Sequence, residues 1–500
     1  MLGVNCGEKC SMAKQHISLL LAGWGLLFVV HLLVFFHFGA QFVDDAYITF
    51  RYAERIASGK GFTFNDGQWV LGTTTPLWTL LIAFGRVLHI PLAIWVGILS
   101  SICAGTVAFF LWRIMADLGA SALGYVAGIA LLIYERWLFD FLMGMEVLLY
   151  VALVFGLFLS IIKRKWQFIG YLGALAILCR PDGVVIAAIA IMACWLSDRR
   201  QALRQAGILL LVLFPWLLFS LFRFHSVFPQ SISAKQWIHP ASFSEAMLGP
   251  WKLLLDDPFL GSIFILAGIG IVGIIVKWRH CWTILAWLLL FSLGLGASRI
   301  KTALFPWYSA PLIAVIYVLA IIGLCALSHL LARMYALLHP DISLRAFCRA
   351  LPIIILVLLC LRHSNFWQRN WRHFPPLTRK EEQYLLTARQ LRPLIKPHDK
   401  VLVGEVGVFS YVLDQAEIID SAGINSPVVE AIRRRHAKDE QSWVKDCIAA
   451  FSPQWIISLP HFLGLENMIR NQSLPPQYKI VSGLPLSPGG VVILQRKNEP

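Results

Sequence analysis

Long apolar runs, broken at intervals by short clusters of Lys, Arg, Asp and Pro, set the pattern of this chain. Runs near 17–38, 92–113, 118–134, 143–162, 166–180, 183–197, 206–223, 258–276, 281–297, 308–327 and 351–362 predict membrane spans. Several fall short of the roughly 20 residues that a straight crossing needs, above all the pair flanking Arg180-Pro181-Asp182-Gly183. The run from Ile17 to Phe36 carries no formal charge. It is too long for a signal-peptide core and lacks a small-residue cleavage site, so it predicts a retained anchor. The segment from Pro76 to Ile90 is also apolar but short. Thr75 suits its N-cap and Pro76 its first turn. It predicts a helix lying along the outer surface, with Pro91 opening the next span.

Between the first two spans the pattern changes. Asp44 to Ala57 has helical spacing and stops at Ser58-Gly59, and Phe62-Thr63-Phe64 and Gln68-Trp69-Val70 flank the turn signal Asn65-Asp66-Gly67. Two carboxylates open the predicted helix, where backbone N–H groups favour negative charge. Asp45, Thr49 and Tyr52 share one helical face, and Asp44, Ile48, Arg51 and Arg55 another. Beyond about residue 363 the chain loses its long apolar runs. Arg362 to Arg379 is basic and aromatic, as expected of a segment skirting headgroups. Predicted strands at Lys400–Val403, Ala416–Asp420, Trp455–Ser458 and Val491–Leu494, with a helix from Val428 to Phe451, imply a small α/β domain. The expected division is a membrane domain over 1–362, with its first outer loop at 39–91, and a C-terminal domain over 363–500.

Composition sharpens this picture. Of 500 residues, 58% are hydrophobic and 14% charged, and the mean hydropathy is +0.68. Soluble domains carry roughly 25% charged residues, so a soluble globular protein is excluded. The expected class is an α-helical polytopic membrane protein with about eleven transmembrane helices and a small extracytoplasmic α/β domain. The net charge of +15 would suggest nucleic acid in a soluble chain, but here it reflects cytoplasmic loops and lipid headgroups. Lys9 and Lys14, Arg113, Lys163-Arg164-Lys165, Arg199-Arg200-Arg204, Lys277 with Arg279, and Arg333, Arg345 and Arg349 fall on one side if the spans alternate. That side is the cytoplasm, so the N-terminus is cytoplasmic and the C-terminal domain lies outside the inner membrane, in the periplasm. Counting 76–90 as a span would invert every later loop. The ten cysteines show no metal-ligand spacing, and most lie within apolar runs.

With this orientation the outer face gathers Asp44, Asp45, Arg51, Arg55, Arg136, Glu146, Arg180, Asp182, Arg223, Lys235, Arg299 and Lys301. Outer loops should be poor in Arg and Lys, and a site for a phosphate or diphosphate in the outer leaflet would account for the surplus. One carboxylate can then serve as general base toward a hydroxyl nucleophile. Two neighbouring acids could also hold a divalent cation, but they supply too few ligands to assert one. Arg51 suits a substrate contact or an ion pair with Asp44. Glu146 suits a substrate contact or a helix terminus. Arg180 with Asp182 suits either a substrate site or a structural pair, and Arg299 and Lys301 beside Pro306-Trp307-Tyr308 suit a phosphate grip or interfacial anchoring.

The residues themselves resemble a family. Asp44-Asp45-Ala46-Tyr47-Ile48-Thr49-Phe50-Arg51-Tyr52-Ala53, Gly59-Lys60-Gly61, Asn65-Asp66-Gly67 and Thr74-Thr75-Pro76-Leu77-Trp78 resemble the first outer loop of C-type (GT-C) glycosyltransferases. These are multispan enzymes that use polyprenyl-phosphate-linked sugars. The likeness is strongest to the subgroup that includes the terminal arabinofuranosyltransferases of mycobacterial cell walls and to the dolichyl-phosphate-mannose-protein mannosyltransferase-like group. It continues through Gly144-Met145-Glu146, Arg180-Pro181-Asp182-Gly183, Gly404-Glu405-Val406-Gly407 and Ile419-Asp420-Ser421-Ala422-Gly423, in the family's order. Asp-Ser-Ala-Gly-Ile departs mildly from the family's Asp-x-x-Gly-Leu. The resemblance implies an inverting transfer in which a loop aspartate deprotonates an acceptor hydroxyl that displaces polyprenyl phosphate. By position Asp44 matches the family's base and Asp45 its neighbour. The substrate contacts it implies are Arg51, Tyr52, Glu146, Arg180, Asp182, Arg299, Lys301 and Tyr308. The partners are a polyprenyl-phosphate-linked sugar donor, an envelope glycan, lipid or protein acceptor, and membrane lipids. No metal is assigned and no nucleic acid is expected. A transporter or flippase for a lipid-linked or anionic substrate is the alternative, and it should carry ionisable residues or broken helices near mid-membrane. Here the charges cluster at span ends and in loops.

Overall fold

The computed structural model describes residues 6–256, 258–338, 344–362, 379–436, 440–458, 476–481 and 491–497. The basic, aromatic segment after Arg362, together with the expected domain boundary, lies outside the described residues. Each of the eleven apolar runs is helical over at least part of its length. Among the described residues, five stretches are long and apolar enough to cross a membrane unaided: Ser18–Phe38, Leu92–Asp117, Arg199–Phe224, Arg279–Ser298 and Pro306–Met334. The protein is an integral membrane protein.

The run near 118–134 departs from a single straight span. Its helix Ser121–Ala130 meets the helix Glu135–Leu142 at 68°. Between them Tyr134 is extended, at φ −84° and ψ 114°, which interrupts the i to i−4 ladder and turns the chain. Other predicted spans, among them Val147–Ile162 and Gly183–Ser197, are helices of only 16 and 15 residues. The helix Ala310–Leu338 is the centre of the bundle, its apolar length almost wholly buried. It packs against Pro258–Val276 at backbone distance. A Cβ on Gly323 would fall 1.9 Å from the Leu266 carbonyl oxygen. In membranes such close approach substitutes for the hydrophobic force that water supplies elsewhere.

At one end of the bundle sit the helices Asp44–Ala57 and Pro76–Val87, packed on one another. The first matches the sequence reading at both ends, and the second begins at Pro76 as expected but ends at Val87, three residues short of the expected Ile90. Thr75 holds the N-cap position of the second, but its side chain makes no cap bond. It bonds the Thr73 hydroxyl instead, at 3.1 Å. The expected pairing around Asn65-Asp66-Gly67 is reduced to one bridge, Asn65 with Gln68. The link from 225 to 256 folds into two short helices, Gln230–Ile238 and Phe243–Leu255.

The C-terminal domain holds a five-stranded mixed sheet: β1 (Lys400–Val403), β2 (Glu417–Asp420), β3 (Trp455–Ser458), β4 (Tyr478–Ile480) and β5 (Val492–Arg496). The strand order is β2-β1-β3-β5-β4. β1 runs parallel to β2 and β3, and β5 antiparallel to β3 and β4. β4 carries no signal that the sequence reading found. The single helix expected over 428–451 is two, Pro427–Arg435 and Glu440–Phe451. Alternation divides the sheet into two faces. Leu402, Ile419, Ile456 and Leu494 pack on these two helices with Val429, Trp443 and Val444. Val401, Val403, Ile418, Ile457 and Ile493 belong to the core shared with the membrane domain. The sheet is therefore clamped to the bundle through its second face and the helix Gly407–Val412, which packs on Asp44–Ala57.

Candidate functional site

The two adjacent aspartates have different surroundings. Asp44 turns toward the C-terminal domain and is buried. Its carboxylate accepts the backbone N–H groups of Gly407 at 2.9 Å and Val408 at 2.8 Å. Its own N–H donates to Glu381 Oε1 at 3.2 Å. Gly407 is required there, because a Cβ would lie 1.8 Å from the Asp44 carbonyl oxygen. Burial, then the neighbouring Glu405 and Asp45 carboxylates, push the Asp44 pKa up to about 8 against the opposing amide bonds. The carboxylate thus anchors the first turn of a helix from another domain instead of capping its own.

Asp45 turns the other way and accepts from Lys235 Nζ at 3.1 Å. Lys235 lies on the helix Gln230–Ile238, which Glu430 fixes to the C-terminal domain by accepting from Ser233 at 2.6 Å and from Gln230. Its ammonium also sits over the Phe305 ring, 4.5 Å from the centroid, and near Trp307. Burial opposes the charge on Lys235, but Asp45, Tyr308 and Glu146 together hold its pKa above the ordinary lysine value.

Two cavities meet at this pair. The first, of about 310 Å³, is lined on its polar side by Asp45, Thr73, Glu146, Arg180, Asp182 and Tyr308. Its apolar wall comes from Val184 and Val185 on one helix and Phe291 and Leu295 on another. The second, of about 670 Å³, runs along the C-terminal domain past Asp44, Lys380, Glu381 and Glu405. Asp45, Lys235 and Trp307 line both. Within the first, Arg180 is held between Glu146 at 3.3 Å and Asp182 at 2.9 Å, with the Arg180 and Glu146 side chains each only 5% exposed. Tyr150 and Tyr308 face the guanidinium with ring centroids 5.3 and 5.5 Å away.

The structure therefore gathers Asp45, Glu146, Arg180, Asp182 and Tyr308 around one cavity and leaves four expected contacts outside both. Arg51 is buried in the scaffold, donating to the Phe64 carbonyl at 2.7 Å, to Asn65 Oδ1 at 3.0 Å and to the Ser410 carbonyl. Its expected ion pair with Asp44 is not among these bonds, because the guanidinium ties the outer loop to the C-terminal domain. Tyr52 is likewise committed, donating to the Val70 carbonyl and Asn425 and accepting from the Gly72 N–H. Arg299 and Lys301 are exposed, and only their neighbours Ser298 and Ile300 line the first cavity. Arg299 is the left-handed C-cap of its helix, φ 55°, with its guanidinium near Phe243. Among the described residues no three His, Cys, Asp or Glu side chains converge on a metal position. Asp44 and Asp45 are engaged by different partners, so the pair does not form a chelate.

The same fold is found in solved structures. ArnT from Cupriavidus metallidurans bound to undecaprenyl phosphate is 13% identical, with 96% of this chain aligned to 98% of that one at a TM-score of 0.59. The apo state of the same protein gives 0.54 over 97% of this chain and 98% of that one, also at 13% identity. The arabinofuranosyltransferase AftD from Mycobacteria is 15% identical, with 95% of this chain aligned to 40% of that one at 0.51. This chain has the GT-C fold. No curated protein matches it in sequence. Residues 369–497 match a family described as a domain of unknown function, DUF8728.

Within the GT-C frame, sequence reasoning placed Lys235 only among the outer-face cations, without a role of its own, and did not reach Glu381 or Thr73. Lys235 is one of several outer-face cations and carries no spacing that separates it from Arg223 or Lys252. The only available signal was its position in a short helical stretch, 230–238, between two long apolar runs. Glu405 lies inside the Gly404-Glu405-Val406-Gly407 motif, but its partner Lys380 at 3.0 Å is 25 residues away.

Proposed function

We propose that this protein is an inverting glycosyltransferase that moves a sugar from a polyprenyl-phosphate-linked donor to a cell-envelope glycan, lipid or protein acceptor at the outer face of the inner membrane. The observation that carries this reading is the junction of two cavities at Asp45 and Lys235. One cavity has an apolar wall between membrane helices and a fixed guanidinium, which suits a phosphate on a lipid chain. The other opens along the C-terminal domain, which suits an acceptor arriving from the aqueous side. The GT-C relative ArnT was solved with undecaprenyl phosphate, a ligand of the same chemical class.

The chemistry follows from this arrangement. The acceptor hydroxyl enters beside Asp45, whose carboxylate takes its proton. The hydroxyl oxygen bonds to the anomeric carbon from the face opposite the phosphate, and the bond from that carbon to the phosphate oxygen breaks with its electron pair. Lys235 and Arg180 stabilise the charge that develops on the leaving phosphate. As Asp45 gains a proton its hold on Lys235 weakens, which frees the ammonium for the phosphate. Between the two aspartates, Asp45 is assigned as base because it alone lines both cavities, while both carboxylate oxygens of Asp44 already accept amides. The inside-positive bias supports a cytoplasmic N-terminus and a periplasmic C-terminal domain.

The test is transfer of labelled sugar from a polyprenyl-phosphate donor in membranes containing the full chain. Asp45→Asn should lower the rate by about 10²–10⁴-fold with unchanged insertion and donor binding, and the product's anomeric configuration should be opposite to the donor's. Wild-type activity in Asp45→Asn and Asp45→Ala would remove the base assignment. Absence of transfer by the wild type would remove the function.

A further inference from the structure

The second cavity has a chemical character that goes beyond the transfer reaction. Its charged lining consists of Asp45, Glu381 and Glu405 against Lys235 and Lys380, because the raised pKa of Asp44 keeps that carboxyl largely protonated near neutral pH. Both ammonium groups are already paired, Lys235 with Asp45 and Lys380 with Glu405 at 3.0 Å and Glu381 at 3.8 Å. Lys380 is 56% exposed, whereas the Glu381 and Glu405 side chains are 5% and 16% exposed. Water and salt therefore screen the cation far more than the carboxylates, and the field inside the cavity is negative. His239 adds no compensating charge, because burial and the nearby Lys235 keep its imidazole neutral. Phe139, Phe305 and Trp307 provide flat apolar walls.

Resting on the proposed transfer reaction, we infer that this cavity receives a phosphate-free glycan end and that Glu405 is a specificity residue rejecting anionic acceptors. Carboxylates only accept hydrogen bonds, so they pair with sugar hydroxyls as donors, while aromatic faces cover the apolar side of a pyranose or furanose ring. A phosphate group would bring between one and two negative charges against Glu381 and Glu405, which are far less exposed than their cation Lys380, whereas in the first cavity Arg180 is more buried than its partner Asp182. Such exclusion by unpaired like charge is how a site discriminates when attraction alone cannot. The anionic and glycan ends of the reaction are thereby separated: the phosphate belongs to the cavity holding Arg180, and the polyhydroxyl acceptor to the cavity holding Glu405.

The test uses the full-length protein in membranes with labelled polyprenyl-phosphate sugar and a crude envelope extract as acceptor. The labelled product is cut to short glycan fragments and run on an anion exchanger. The labelled fragment should pass through uncharged, and Glu405→Lys should raise the KM for the extracted acceptor tenfold or more while the donor KM stays within twofold. Glu405→Gln should give a smaller rise, and it serves if the lysine variant does not fold. A labelled fragment retained by the exchanger, or an acceptor KM unmoved in a folded variant, overturns the inference and leaves the glycosyltransferase reading intact. No label in any fraction from the wild type overturns that reading, and this one with it.

Discussion

Replacing Asp44 with Ala separates docking from chemistry. In the folded protein its carboxylate accepts two buried amides, from Gly407 at 2.9 Å and Val408 at 2.8 Å. An amide left buried without a partner costs about 1–3 kcal/mol. The two bonds act on one helix turn and are not additive, so a loss of about 3 kcal/mol in the docking of Gly407–Val412 is a conservative value. That corresponds to local opening roughly 100-fold more frequent. Hydrogen–deuterium exchange reads it directly, as faster uptake in peptides covering 404–412 while the helix Leu92–Asp117 keeps its protection. Asp44→Asn keeps one acceptor oxygen and should give about half the effect. If Asp44→Ala abolishes transfer while uptake over 404–412 stays at the wild-type level, Asp44 is the base and the docking role is refuted.

Gly407→Ala should reproduce the same opening without touching a carboxylate, because its Cβ would overlap the Asp44 backbone oxygen; limited proteolysis after residue 379 checks it. The Asp44 pKa of about 8 lies above its ordinary 3.8, so the folded state binds this proton more tightly than the unfolded chain. Its stability contribution is complete below about pH 4 and is lost as pH rises through about 8; thermal melts across pH 4–9 should therefore slope downward more steeply in the wild type than in Asp44→Asn. Arg180→Met should leave Glu146 and Asp182 without their cation and destabilise by about 3–5 kcal/mol, read as loss of the monodisperse peak in size-exclusion chromatography.

What the sequence revealed and what it hid follow from the range of the interactions. The helices Asp44–Ala57 and Pro76–Val87 were legible because their start and stop signals are local: paired acids, Ser58-Gly59, Thr75-Pro76. Strands β1, β2, β3 and β5 were legible because each is a short β-branched run beside turn residues. β4 was not, since Tyr478–Ile480 is only three residues long and is stabilised by pairing with β5, 14 or more residues later. The division of Asp44 from Asp45 was also hidden, because the amides that donate to the first belong to residues 363 and 364 positions away. Arg51 misleads for the same reason: its polarity suggests a ligand, but its partners Phe64, Asn65 and Ser410 are revealed only by the fold. Glu146, Arg180 and Asp182 come from two separate short motifs, and no spacing rule predicts that they meet.

Helix geometry explains why two adjacent acids need not share one task. Successive residues on a helix point about 100° apart, so side chains 44 and 45 can face the C-terminal domain and the cavity at once. The first turn is the only place where this arrangement costs little, because backbone N–H groups there favour negative charge. The two roles are then mechanically linked. Loss of the Gly407 and Val408 bonds to Asp44 would release the same helix turn that aims Asp45 at Lys235. A variant that loosens docking should accordingly lose transfer in proportion to the opening seen by exchange, whereas one that removes only the base should lose transfer with no opening at all. Asp44→Ala and Asp45→Asn, compared by both measurements, belong on opposite sides of that divide.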